Sequence, residues 1–147
     1  MKGGKFSMVS RSIWRSARFK RVNSDKGKLA FFYFLACEHQ NGLGCYRLPD
    51  GYAIDDLGWT PEEYREAKAE CEHAQLIQYD TGTQELLIEK WLENNPAQNR
   101  KHLTGMAKSA THIESIEFQR IINEHLLEMN EKLPSSDNNP ARPGLLR

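Results

Sequence analysis

The side chains in this chain best suited to chemistry are the arginines and lysines near its start. Residues 1–28 carry nine Lys/Arg against the single acid Asp25, and residues 29–95 carry four against thirteen Asp/Glu, so the formal net charge of zero is a cancellation. From Phe6 to Val22 the basic residues Arg11, Arg15, Arg18, Lys20 and Arg21 alternate loosely with Phe6, Met8, Val9, Ile13, Trp14, Ala17, Phe19 and Val22. The apolar members can anchor such a segment on a core while the guanidinium groups face outward. Their fork of N–H donors matches phosphate oxygens. The same charges could instead pair with the acidic body of the chain. Residues 1–23 are accordingly read as a basic arm, which Lys26 and Lys28 extend.

Other chemistries find little support. Gly27-Lys28 lacks the upstream glycine and the following hydroxyl of a phosphate-binding loop. No helix has the two-histidine spacing of a metalloprotease, and Ser, His and Asp are not grouped in a nucleophile motif, so the expectation is a protein without catalytic activity. Cys37-Glu38-His39, Cys45 and Cys71-Glu72-His73 match no compact zinc spacing, and three cysteines without a repeat make no disulfide framework. Buried thiols, no metal and no cofactor are expected.

These residues have to be positioned by the elements around them. Ser24 can cap a helix running to about His39, whose body Leu29–Cys37 is apolar nearly all round, and its four aromatics are read as core. A strand at Cys45–Leu48 follows a turn in which Gly42 or Gly44 takes a positive φ. Asp50 can cap a helix over Asp50–Leu57 that Gly58 stops. Thr60-Pro61-Glu62-Glu63 combines an N-cap, a first-position proline and a capping-box glutamate, which predicts a helix to Ala74 with Tyr64, Ala67, Cys71 and Ala74 inward. Two β-type runs, Leu76–Asp80 and Glu85–Trp91, are joined by Thr81–Gln84, where Gly82 permits a tight hairpin. The predicted fold class is α+β and mostly helical: a winged helix-turn-helix domain over 24–93.

In such domains the second helix of the pair commonly enters the DNA major groove. Here that helix presents Glu62, Glu66 and Glu70 beside Arg65 and Lys68, and three glutamates next to a polyanion are unfavourable. DNA contact is therefore expected mainly from Arg11 through Lys28, from Thr83 and Gln84 at the wing tip, and from Arg100, Lys101 and His102, with Arg65 and Lys68 as lesser contributors. Under the alternative, Glu62, Glu66 and Glu70 engage a basic protein partner. A transcription regulator would use the same physics as a replication protein.

Residues 94–111 are polar and mildly basic and read as a linker. Residues 112–133 form an amphipathic helix in which Ile113, Ile116, Phe118, Ile121, Ile122, Leu126, Met129 and Leu133 make one stripe. That stripe must be buried, either on the domain or against a second copy in a homodimer through 113–133. Residues 134–147 read as a disordered tail. No apolar run approaches the roughly 20 residues needed to span a bilayer, and Met1–Val9 lacks a signal-peptide core, so a cytoplasmic location without membrane contact is expected.

The segments Ser12-Ile13-Trp14, Lys28-Leu29, Phe34-Leu35, Gly42-Leu43-Gly44, Leu57-Gly58 and Leu76–Asp80 together resemble phage replisome organisers, the replication initiators of temperate phages. Trp91, Asn95-Pro96-Ala97-Gln98-Asn99, Lys101-His102 and Gly105 extend that likeness, which covers about Trp14 to Phe118 and concerns their N-terminal winged-helix part. The resemblance implies origin DNA as a partner, a host replication protein as a second one, and a bacterial host cell as the setting.

Overall fold

The computed structural model describes residues 5–134, so the expected tail over 134–147 lies, apart from Pro134, outside the described residues. The chain divides into two compact units, Met1–Lys90 and Trp91–Arg147.

The first unit opens with a 3₁₀ turn at Arg11–Arg15 and a single helical turn, α1 (Ala17–Lys20). Ser10 accepts the Ser12 N–H at the start of the 3₁₀ turn, and Ser16 accepts the Phe19 N–H at the start of α1. Helix α2 (Asp25–Ala36) is capped by Ser24, whose hydroxyl accepts the Gly27 N–H. It is not buried all round. Ala30, Phe31, Phe34 and Leu35 form its inner face, Phe32 and Tyr33 are half-buried, and Leu29 is exposed. Two of the four aromatics expected in the core are thus boundary residues.

Strand β1 (Cys45–Arg47) follows a turn in which Gly44 adopts φ 65°, the left-handed region that costs glycine least. Helix α3 (Asp50–Leu57) ends at Gly58 with φ 70°. Its N-cap is Pro49, with no side-chain cap bond. Asp50, expected to cap it, is its first residue and instead holds Lys68. Helix α4 (Pro61–His73) starts with both halves of the capping box formed: Thr60 accepts from the Glu63 N–H and Glu63 from the Thr60 N–H.

Strands β2 (Ile77–Asp80) and β3 (Glu85–Ile88) form the wing, and the sheet order is β1-β3-β2 with both pairings antiparallel. The hairpin turns through Gln84 at φ 60° rather than through Gly82, while Asp80 Oδ1 accepts the N–H groups of Gly82 and Thr83. The succession α2, β1, α3, α4, β2, β3 is that of a winged helix-turn-helix. Tyr64, Ala67 and Cys71 of α4 close its core with Phe34, Leu48, Ile77 and Leu86.

Trp91 does not finish the second wing strand. Lys90 takes φ 63°, and Trp91 opens the short helix α5 (Trp91–Asn94) of the second unit. The expected linker over 94–111 also needs correction, because Arg100–Ala110 is a helix, α6, capped by Asn99. Helix α7 (Ile116–Lys132) packs on α6. Phe118, Ile122 and Leu126 are buried on it, as are Leu103, Met106 and Ala110 on α6. Of the stripe offered to a second copy, Ile113, Phe118, Ile122 and Leu126 are buried, Ile121, Met129 and Leu133 are half-buried and Ile116 is exposed, as is Leu127 outside the stripe. No helix among the described residues is long and apolar enough to cross a membrane.

Candidate nucleic-acid interface

The basic arm is fixed to the winged-helix unit by its apolar residues and by two of its arginines. Phe19 and Val22 are buried to 2% and 1% exposure, which seats α1 on the domain. Arg18 donates to the Gln75 carbonyl oxygen at 2.7 Å, and Arg21 to the Gln75 side-chain oxygen at 3.2 Å. Both guanidinium groups thus hold the residue just past α4. Glu70 adds a third tie by accepting the Asn23 and Ser24 N–H groups and the Ser24 hydroxyl. The Ser24 hydroxyl and these backbone donors hold the Glu70 carboxyl below its usual range.

What the anchoring leaves free is informative. Arg11, Arg15 and Lys20 are exposed and have no acidic partner among the described residues. Lys28 is half-buried with its ammonium 6.0 Å from the Phe19 ring centroid. Lys26 is committed to Glu63 and lies 5.4 Å from the Trp59 ring centroid. The arm thus divides into residues that position it and residues whose charge faces solvent.

Two expected sites on the helix-turn-helix and wing need correction. Lys68 is 8% exposed, sits 2.8 Å from Asp50 Oδ1 and lies 3.7 Å from the Tyr79 ring centroid, so it joins α3, α4 and β2 and cannot reach a ligand. At the wing tip the Thr83 hydroxyl is buried without a hydrogen-bond partner, and the Gln84 side chain accepts from Arg47 at 2.8 Å. Arg65 is exposed, as expected.

The acidic face of α4 is smaller than its sequence suggests. Glu62 and Glu66 are exposed, while Glu70 turns back to hold Asn23 and Ser24. An expected partner-binding trio is therefore a pair.

In the second unit, Arg100 donates to the Asn130 side chain and to the carbonyl oxygens of Leu133 at 2.7 Å and Pro134 at 3.2 Å, which satisfies open acceptors at the end of α7. It is a helix-closing residue rather than a free phosphate ligand. His102 Nδ1 accepts the Gln98 N–H at 3.1 Å, and Lys101 is exposed.

The three thiols are buried. Cys37 lies 3.5 Å from the Tyr46 hydroxyl and Cys71 donates to the Gly27 carbonyl at 3.3 Å. Burial pushes Cys45 and Cys71 up to about 12. No group of three metal-ligating side chains occurs among the described residues.

Sequence reasoning missed the anchors Gln75, Asn23 and Ser24. Ser24 had a local signal as an N-cap, but nothing near Gln75 indicates that arginines more than fifty residues away will bind it. Comparison with family models, with curated proteins and with solved structures found no match for this chain.

Proposed function

We propose that this chain is a non-enzymatic DNA-binding protein of the phage-replication type. It holds duplex DNA chiefly through its N-terminal arm and acts in replication initiation in the cytoplasm of a bacterial cell. One observation carries the binding half of this reading: Arg18 and Arg21 are spent on Gln75, while Arg11, Arg15 and Lys20 on the same fixed segment are exposed without an acidic partner among the described residues. An exposed cation without an acidic partner gains strong charge-assisted hydrogen bonds from a phosphate. The acidic α4 supports a backbone-led mode over deep groove insertion, because Glu62 and Glu66 would meet phosphate repulsion there. The replication assignment comes from the resemblance of the winged helix and the Asn95–Asn99 segment to phage replisome organisers. Neutralising Arg11, Arg15 and Lys20 together should weaken duplex binding in a mobility-shift titration, whereas K68A, if folded, should leave it intact.

A second reading has its own support. Glu62 and Glu66 stand exposed on α4 with no basic partner among the described residues, a surface suited to a basic host replication protein. Charge reversal at both positions would abolish capture of such a partner without weakening DNA binding. Self-association through α7 would have to use Ile116 and Leu127, and sedimentation of an I116E/L127E variant tests it.

A further inference from the structure

The first unit carries an exposed indole that the duplex-binding account does not use. Trp14 is 60% exposed, yet its ring is held from below: its centroid lies 5.7 Å from that of Phe19 at 78° and 5.9 Å from that of Phe32 at 44°. Phe19 is buried, so the indole rests on a fixed base rather than on another surface side chain. The 3₁₀ turn beneath it is closed at both ends, by Ser10 accepting the Ser12 N–H and by the Ser16 N–H donating to the Ile13 carbonyl.

The charged residues flanking this ring in the 3₁₀ turn, Arg11 and Arg15, are both basic and exposed. In a 3₁₀ turn residues i and i+3 eclipse one another, so Arg11 and Trp14 lie along one edge, with Arg15 next in the chain. Lys28 lies 6.0 Å from the centroid of Phe19, a ring that Trp14 also contacts. Asp25 is the single acid within residues 1–28. A large flat π surface flanked by unpaired cations meets both needs of an unpaired nucleotide: a face on which the base can stack and donors for the adjoining phosphates.

We propose that Trp14 is a stacking platform for single-stranded nucleic acid, with Arg11, Arg15 and Lys28 holding the phosphates on either side of the stacked base. The inference rests on the DNA-binding reading and adds a substrate state to it: an opened strand, held by the same arm that grips duplex. Because the turn is already ordered in the free protein, little conformational freedom remains to be lost when a base docks.

The test is a titration of the full chain with fluorescein-labelled oligothymidylate, oligouridylate and a hairpin duplex, read by anisotropy, for the parent protein, W14A, W14F and R11A/R15A. Stacking predicts that W14A weakens single-strand binding by about tenfold while W14F retains most of it, and that duplex affinity changes little in either. R11A/R15A weakens both. Binding to either single-stranded probe quenches indole emission in the parent, and that quenching disappears in W14F, whose remaining tryptophans are Trp59 and Trp91. Because Trp14 is exposed, a circular dichroism melt is expected to show W14A folded, and W14F separates ring loss from any fold defect. Single-strand affinity that is unchanged in W14A, or lost equally in W14F and W14A, overturns the proposal. Duplex binding without single-strand binding overturns it and leaves the proposed function standing. Absence of both removes both, and capture of a protein through Trp14 with no binding to either single-stranded probe replaces it.

Discussion

The Lys68 ammonium lies 2.8 Å from the Asp50 carboxylate, inside the domain and against the Tyr79 ring. This pair fastens the second helix of the helix-turn-helix to the first helix and to the wing. Asp50 keeps partial solvent access, so loss of the lysine leaves a carboxylate that water can partly rehydrate. K68A is expected to cost about 2 kcal/mol, below the range for a fully buried pair, as measured by urea unfolding. K68M, which keeps the packed stem, should cost less.

Glu70 makes stability sensitive to acid. Its folded-state pKa is lowered, so its contribution is present above the unfolded carboxylate value of about 4.3 and is lost as pH falls through the folded value. The parent protein should therefore lose stability on acidification below about pH 4, and E70Q should show a flatter acid limb in thermal melts. E63Q and E117Q should change that limb less. Their carboxyls are also lowered, by Lys26 and Arg120, but these pairs are exposed and screened.

Gly27 is a position where alanine should harm a helix. A Cβ there would lie 2.5 Å from Val22 Cγ1 and 3.0 Å from Glu70 Oε2, and Val22 is both buried and stiff at χ1. Helix propensity favours alanine by roughly 1 kcal/mol, yet overpacking of this kind costs about 1–3 kcal/mol. G27A is expected to lower the unfolding midpoint, while G51A, whose Cβ would meet nothing within 4 Å, should not.

Several local signals whose partners are near neighbours were legible in the sequence, although the expected Asp50 cap and Gly82 turn were not formed. The capping box at Thr60 and Glu63, the Ser24 cap and the stop at Gly58 each involve residues within a few positions, and each is observed. Signals failed where one residue's backbone or a distant partner decided. The β-type run through Glu85–Trp91 gives no warning that Lys90 turns to a positive φ. The sparse apolar set Leu103, Met106 and Ala110 of α6 was hidden among polar residues and a mid-helix glycine. In the candidate interface, Arg11, Arg15, Arg18 and Arg21 are equivalent by composition. What separates them is Gln75, far along the chain, just as Asp50 separates Lys68 from the exposed Arg65.

The cap at Thr60 offers a local test of how α4 is held. T60A removes the acceptor for the Glu63 N–H and should cost about 1 kcal/mol, read from denaturant melts. Duplex affinity should not change if the arm is the main contact, because Thr60 makes no bond to it.

In the proposed duplex complex, the arm's unpaired cations grip the phosphate backbone. The most direct measurement is the salt dependence of duplex affinity for the full chain and for R11A/R15A/K20A. Measurable binding at low salt is expected of the parent protein, with a log–log slope that becomes shallower by about one unit for each of the three side chains removed. An absence of duplex binding at low salt, or the same slope and affinity in the triple variant, would contradict it.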